Sequence, residues 1–293
     1  MLLCYNIQKR KKGGLDKLVF NKTALLITLT LFSFSSTSLA TSLFLTQKDE
    51  DKSFTENIVS IMSEDTKGND AKTEFQKKLD GKPLLSLCFH EVGYNNDNLS
   101  VTPETFRHML VELKNLGYVF VDANDITDIK KGKKKMPQKA VFIGFDDGYK
   151  DNYTYAYPIL REEGAKATFF VVSNTISTDN RLTFEDIKQM VADGFAIGSH
   201  TANHTRLDNI STEEVRKELN DSKYTLQETF NTPVNAIAYP CGYESHEVVD
   251  IASDMYEIGF TASMDNTDNT DMTIPRYGVF KWHKSVYDIV QQQ

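Results

Sequence analysis

Two adjacent carboxylates, Asp146 and Asp147, stand in Phe145-Asp146-Asp147-Gly148, directly after the apolar run Ala140 to Gly144. Asp-Gly is ordinary turn chemistry, but neighbouring carboxylates repel one another unless a cation or a proton separates them. The pair asks for a partner, and Gly198-Ser199-His200-Thr201-Ala202-Asn203-His204 offers one. Histidines at i and i+4 on a helical turn face the same side and can bind one metal, although histidines so spaced also serve as capping or surface residues. With six histidines in the whole chain, two of them after an apolar run stand out from background. Asp147, His200 and His204 make three protein ligands with a position left for water, the arrangement of a catalytic Zn²⁺ site, for which Co²⁺ or Ni²⁺ are the alternative ions.

The elements that must position these residues are legible from Pro83 onward. Short apolar runs predict strands over Leu84 to Phe89, Tyr118 to Val121, Ala140 to Phe145, Ala167 to Val172, Phe195 to Ile197, Ala236 to Tyr239 and Phe260 to Ser263. Between them, Thr102-Pro103 opens a helix that Gly117 closes, Thr183 opens one closed by Gly194, and Ser211-Thr212-Glu213-Glu214 is a capping box before a longer helix. A further helix is expected from Glu244 towards Gly259. Strand and helix alternating about seven times imply an α/β fold with a parallel sheet and outer helices, either open or closed into a barrel. In such folds the loops after the strands gather on one face, which is where the carboxylates and histidines fall.

These residues resemble the polysaccharide deacetylases that share the NodB homology domain, carbohydrate esterase family 4. Three motifs occur in order: Phe145-Asp146-Asp147-Gly148, then His200-Thr201-Ala202-Asn203-His204, then Ala238-Tyr239-Pro240-Cys241-Gly242. The resemblance covers residues 83–285 and implies a distorted (β/α)7-type barrel that deacetylates N-acetylglucosamine polymers. It makes Asp146 the general base and Asp147, His200 and His204 the metal ligands. Substrate and oxyanion contacts fall to Tyr239, Pro240, Cys241 and Gly242, with the backbone N–H of Cys241 as the oxyanion donor. Most relatives carry an aromatic residue at the position of Cys241.

The chain departs from that family in lacking its C-terminal Leu-x-His acid and its third-motif arginine. Leu87-Cys88-Phe89-His90-Glu91-Val92 on the first strand instead resembles the poly-β-1,6-N-acetylglucosamine deacetylases, which implies His90 as the general acid. Ile274-Pro275-Arg276 resembles the same subgroup and implies Arg276 as the charge beside Asp146, a surface arginine being the alternative. His283 in Lys281-Trp282-His283-Lys284 is the rival acid, and Trp282 and Tyr243 are candidates to stack on sugar rings. A peptidoglycan or chitin-oligosaccharide deacetylase, and a carbohydrate-binding barrel without catalysis, are the competing functions.

Residues 1–45 carry Lys9, Arg10, Lys11, Lys12, Lys17 and Lys22 ahead of an apolar run from Ala24 to Leu45, which reads as a signal peptide or an uncleaved membrane anchor. Residues 46–82 are polar and read as a stalk, leaving 83–293 as the catalytic domain at the cell surface or outside it. Of the three cysteines, Cys4 precedes the apolar run, and Cys88 and Cys241 are expected to be separate buried or semi-buried thiols. Net charge is −8 although residues 1–45 are cationic, and so acidic a body speaks against nucleic acid as a partner. The expected partner is an N-acetylglucosamine polysaccharide, with the membrane as a second if the segment is uncleaved, and the expected state is a monomer.

Overall fold

The computed structural model describes residues 84–262 and 270–291. The signal or anchor segment (1–45) and the stalk (46–82) lie outside the described residues. Seven sheet positions form a ring of parallel strands: β1 (Leu84–Phe89), β5 (Ala140–Phe145), β6 (Thr168–Val171), β7 (Ala196–Ser199), β8 (Ala236–Ala238), β9 (Ile258–Thr261), and a split position made of β10 (Ile274–Pro275) and β11 (Tyr277–Gly278). β10 pairs with β9, β11 pairs with β1, and only Arg276 lies between them. One short segment therefore bonds to both edges of the sheet and closes it into a barrel. The distortion has a local cause. β4 (Val119–Val121) pairs with Ala140, Val141 and Phe142 of β5, whereas β6 pairs with Gly144 and Phe145. A pair of two-residue strands, β2 (Glu91–Val92) and β3 (Ser100–Val101), forms a separate ribbon after β1.

Side-chain alternation along the strands sorts the core into two layers. Phe142, Phe170, Ala236, Ala238, Ile258 and Phe260 fill the barrel, with Phe142 stacked on Phe260 at 4.3 Å between ring centroids. Leu85, Leu87, Phe89, Val141, Ile143, Phe145 and Phe169 form the other layer, which packs against helix residues such as Phe106, Leu110 and Met190. Small residues make room for the interior rings. A Cβ on Gly198 would stand 2.4 Å from a Phe170 ring carbon.

The helices begin where their caps place them. α1 (Pro103–Asn115) starts at Thr102, whose hydroxyl accepts the Thr105 N–H, and α2 (Ala123–Lys130) starts at an Asp122/Asp125 capping box. α3 (Tyr157–Glu163) continues from a π-turn at Asn152–Ala156 and stops at Gly164. Capping boxes open α4 (Phe184–Ala192) at Thr183 and α5 (Thr212–Phe230) at Ser211, and Ser245 caps α6 (His246–Ser253). α7 (Val286–Gln291) is last. Two expectations shift. The seventh strand starts at Ile258 rather than Phe260, and α6 ends at Ser253, with a turn rather than more helix before Gly259.

Candidate active site

The chemically able residues meet at the C-terminal ends of the strands. β1 runs into His90, β5 into Asp146 and Asp147, β7 into His200, and β8 into the 239–242 turn. Asp147 has a left-handed backbone, φ 72°, followed by Gly148 at φ 68°. A non-glycine residue seldom adopts that conformation, so the turn holds Asp147 with some strain. His200 and His204 do come together, with ring centroids 4.9 Å apart, but not on the helical turn expected from their spacing. Thr201 and His204 have φ of 63° and 59°. The loop is held by bonds from Ser173 N–H to the Thr201 carbonyl and from Asn203 N–H to Glu218. Its reversal, not helical periodicity, turns both rings to one side.

Asp147 Oδ1 lies 3.2 Å from Nε2 of His200 and 3.2 Å from Nε2 of His204, yet this buried oxygen makes no hydrogen bond. Three donor atoms converging without bonding to one another fit a metal. Ligand atoms about 2.0–2.2 Å from a tetrahedral ion stand about 3.3–3.6 Å apart, close to the spacing found. His200 donates its Nδ1–H to the Ala238 carbonyl at 2.8 Å, which leaves the Nε2 lone pair for an ion. Burial works to raise the Asp147 carboxyl, but the imidazoles of His200 and His204 outweigh it and hold the group well below the usual carboxylate range.

Asp146 is held differently. Arg276, fully buried, donates Nη1 to Oδ1 and Nη2 to Oδ2, both at 2.7 Å. The surface alternative for this arginine is thereby corrected: the closing segment carries it into the barrel, above the Phe170 and Phe260 rings. Gly144 leaves space for it, since a Cβ there would lie 3.1 Å from Nη1. Burial pushes the Asp146 carboxyl up, but the charges of Arg276 and then His200 bring it down to about 2, so it is ionised at neutral pH. Donor atoms of His90, Cys88 and Asp146 lie within 4.8 Å of one another. Burial lowers the His90 imidazole below its ordinary value despite the pull of Asp146 and Asp147, and its Nδ1 is buried without a partner.

Other expectations are corrected. Tyr239 turns its ring into the outer layer, where it is buried, so the side chain cannot line a substrate pocket and only its backbone belongs to the turn. Cys241 is exposed rather than buried, because it occupies a turn with φ 58° that lifts it off β8. Gly242 adopts φ 70° against Ala262, and Pro240 is buried. His283 accepts the Phe280 N–H at Nδ1 in a turn packed beside Phe280 and Trp282. Tyr243 and Trp282 are about half exposed, and Arg206 stacks on Tyr243 at 3.8 Å. Sequence reasoning missed Asn152, whose buried amide donates to the His90 carbonyl at 2.7 Å, and Arg181, which donates to the Asp147 carbonyl at 3.1 Å. It also missed Cys88, which strand alternation places on the same face as His90.

The polysaccharide deacetylase family model matches residues 133–257. The Bacillus subtilis (strain 168) protein YxkH, assigned to the polysaccharide deacetylases, is 34% identical over 191 residues, 65% of this chain and 66% of that protein. The chain belongs to the polysaccharide deacetylases. A second relative of this deacetylase chain is the Poly-beta-1,6-N-acetyl-D-glucosamine N-deacetylase of Staphylococcus aureus (strain MSSA476), 27% identical over 196 residues, 61% of this chain and 67% of that one. The deacetylase chain thus spans about two thirds of the length of these curated relatives. Among solved structures, a Streptococcus pyogenes deacetylase in complex with acetate superposes with a TM-score of 0.64 at 28% identity, covering 71% of this chain and 96% of that one.

Proposed function

We propose that the protein is a metal-dependent hydrolase that removes N-acetyl groups from N-acetylglucosamine units of an extracellular polysaccharide, poly-β-1,6-N-acetylglucosamine first among them. The observation that carries this reading is the convergence of residues from separate strands. A three-donor site (Asp147, His200, His204) stands beside a buried ionised carboxylate (Asp146) and a partly buried imidazole at the end of the first strand (His90). Zn²⁺ suits one carboxylate and two imidazoles, with Co²⁺ or Ni²⁺ as alternatives. When bound, the ion supplies a Lewis acid for the acetyl carbonyl and the attacking water. Asp146 takes the water's proton, the backbone N–H of Cys241 supports the oxyanion, and His90 delivers a proton to the departing amine.

Substrate preference rests on the acid. Its position at the end of β1 and the similarity to the staphylococcal enzyme both favour the β-1,6-linked polymer. We place the enzyme outside the cell or at its surface, as a monomer, through the N-terminal segment. Acetate release from poly-β-1,6-N-acetylglucosamine, chitin oligomers and peptidoglycan, measured in parallel with and without a chelator, tests the reading. The β-1,6 polymer should be deacetylated fastest and chelation should stop the reaction. A faster rate on chitin or peptidoglycan would overturn the preference, and no acetate from any of the three would overturn the activity.

A further inference from the structure

Asp146 must accept a proton, and a carboxylate has about four lone-pair sites for doing so. Three are occupied in the folded protein. Oδ1 receives Nη1 of Arg276, and Oδ2 receives both Nη2 of Arg276 and the thiol of Cys88, whose Sγ lies 3.4 Å away. All three residues are buried, Cys88 almost fully, so water does not compete for these bonds. Cys88 faces Asp146 for a topological reason. β1 and β5 are in parallel register with Cys88 beside Gly144, so the inward residues of the two strands, Cys88 and then His90 on one and Gly144 and then Asp146 on the other, form one row.

We propose that Cys88 is a positioning residue for the deacetylation, one that saturates Oδ2 of Asp146 and leaves Oδ1 as the single oxygen free to act as base. The inference rests on the deacetylase reading above. In the step it governs, an O–H bond of the attacking water breaks, its proton goes to Oδ1, and its electron pair stays on the water oxygen that attacks the acetyl carbon. Fixing the accepting atom confines the attack to one direction, which is how orientation lowers a barrel enzyme's chemical barrier without tightening substrate binding. The thiol suits this task because it is a neutral donor, which fills the site on Oδ2 without adding a second charge. A second charged donor in its place would compete with the proton transfer, and an aliphatic side chain would leave both oxygens with a vacant site.

Two measurements on the full-length protein test this. The first is the Raman S–H stretching band of Cys88, identified as the band lost in Cys88→Ser, and it needs no activity. Asp146→Asn should move that band to higher frequency as the charged acceptor is removed. A band that does not move would overturn the contact. The second is acetate release from poly-β-1,6-N-acetylglucosamine. Cys88→Ala should lower kcat roughly tenfold, the equivalent of one lost hydrogen bond to a charged group, with KM within about twofold and metal content unchanged. Cys88→Ser should recover the greater part of that loss. Equal rates for the alanine and serine variants, or a loss confined to KM, would overturn the positioning role. If the wild-type chain releases no acetate, the functional reading fails by itself, while the Raman comparison still decides whether Cys88 holds Asp146.

Discussion

At the scale of single residues, Asp146 and Asp147 are chemically identical neighbours in opposite surroundings. One is clamped by a guanidinium, the other faces two imidazoles. Alanine at Asp147, His200 or His204 should therefore abolish bound metal and activity together, whereas Asp146→Asn should keep the metal and lose about 10²-fold or more in rate. Metal analysis of the purified variants beside acetate release separates the two patterns, and loss of metal in Asp146→Asn would mean the two aspartates exchange roles. For His90, alanine should cut the chemical step by about 10² to 10⁴ with metal retained. On the proposed mechanism His90 acts in its protonated form, so the rate should fall as pH rises through its pKa, on the low side of the ordinary imidazole range owing to burial. That alkaline limb should vanish in His90→Ala. His283→Ala, in a turn bonded to Phe280, should leave the chemical step within a few-fold of wild type, and a larger loss would return the acid to the C-terminal end.

At the scale of elements, the interior of the barrel is built by leaving side chains out. Gly198 lies on β7 two residues before His200, with the Phe170 ring against its α-carbon. Gly198→Ala should destabilise the fold by about 1–3 kcal/mol through overpacking and weaken metal binding by shifting His200, read from denaturant unfolding and metal titration. Elements of this kind were partly legible. β1 and β5 are six-residue apolar runs and were bounded correctly, and the Ser211 capping box announced α5. α2 was missed because its eight residues make little more than two turns directly after β4, and α3 because its chain enters through a π-turn. β10 and β11 are two residues each, too short to show a period, and the seven runs counted in the sequence include β4, which pairs with β5 off the ring, so barrel closure could not be read. The ligand pair was legible as a motif while its geometry was not, since helical spacing says nothing of the positive φ at Thr201 and His204. Arg276 was reached through family resemblance alone, because a fully buried cation is intelligible only once its anion is known to face it.

At the scale of the whole molecule, the Arg276–Asp146 pair joins chemistry to architecture. Removing one partner of a buried pair leaves an uncompensated charge, so Arg276→Met should cost about 3–5 kcal/mol. Neutralising both, as Arg276→Met with Asp146→Asn, should recover a large share of that loss, and chemical denaturation of the four proteins of this cycle checks it. A double variant no more stable than the single one would show that the arginine acts on the barrel by shape and not by charge. The strand that Arg276 interrupts also sets a schedule. A chain made from its N-terminus presents Asp146 130 residues before its counter-ion. Throughout that interval β1 has a free hydrogen-bonding edge, and β9 has one from its own synthesis onward, of the kind that recruit other chains. Contacts so distant in sequence form slowly. The newly made protein therefore passes through a stage in which nearly all of the ring exists and the carboxylate at its centre cannot yet be buried. A chaperone that shields those two edges would be of most use to it then, and of little use once residues 274–278 have docked.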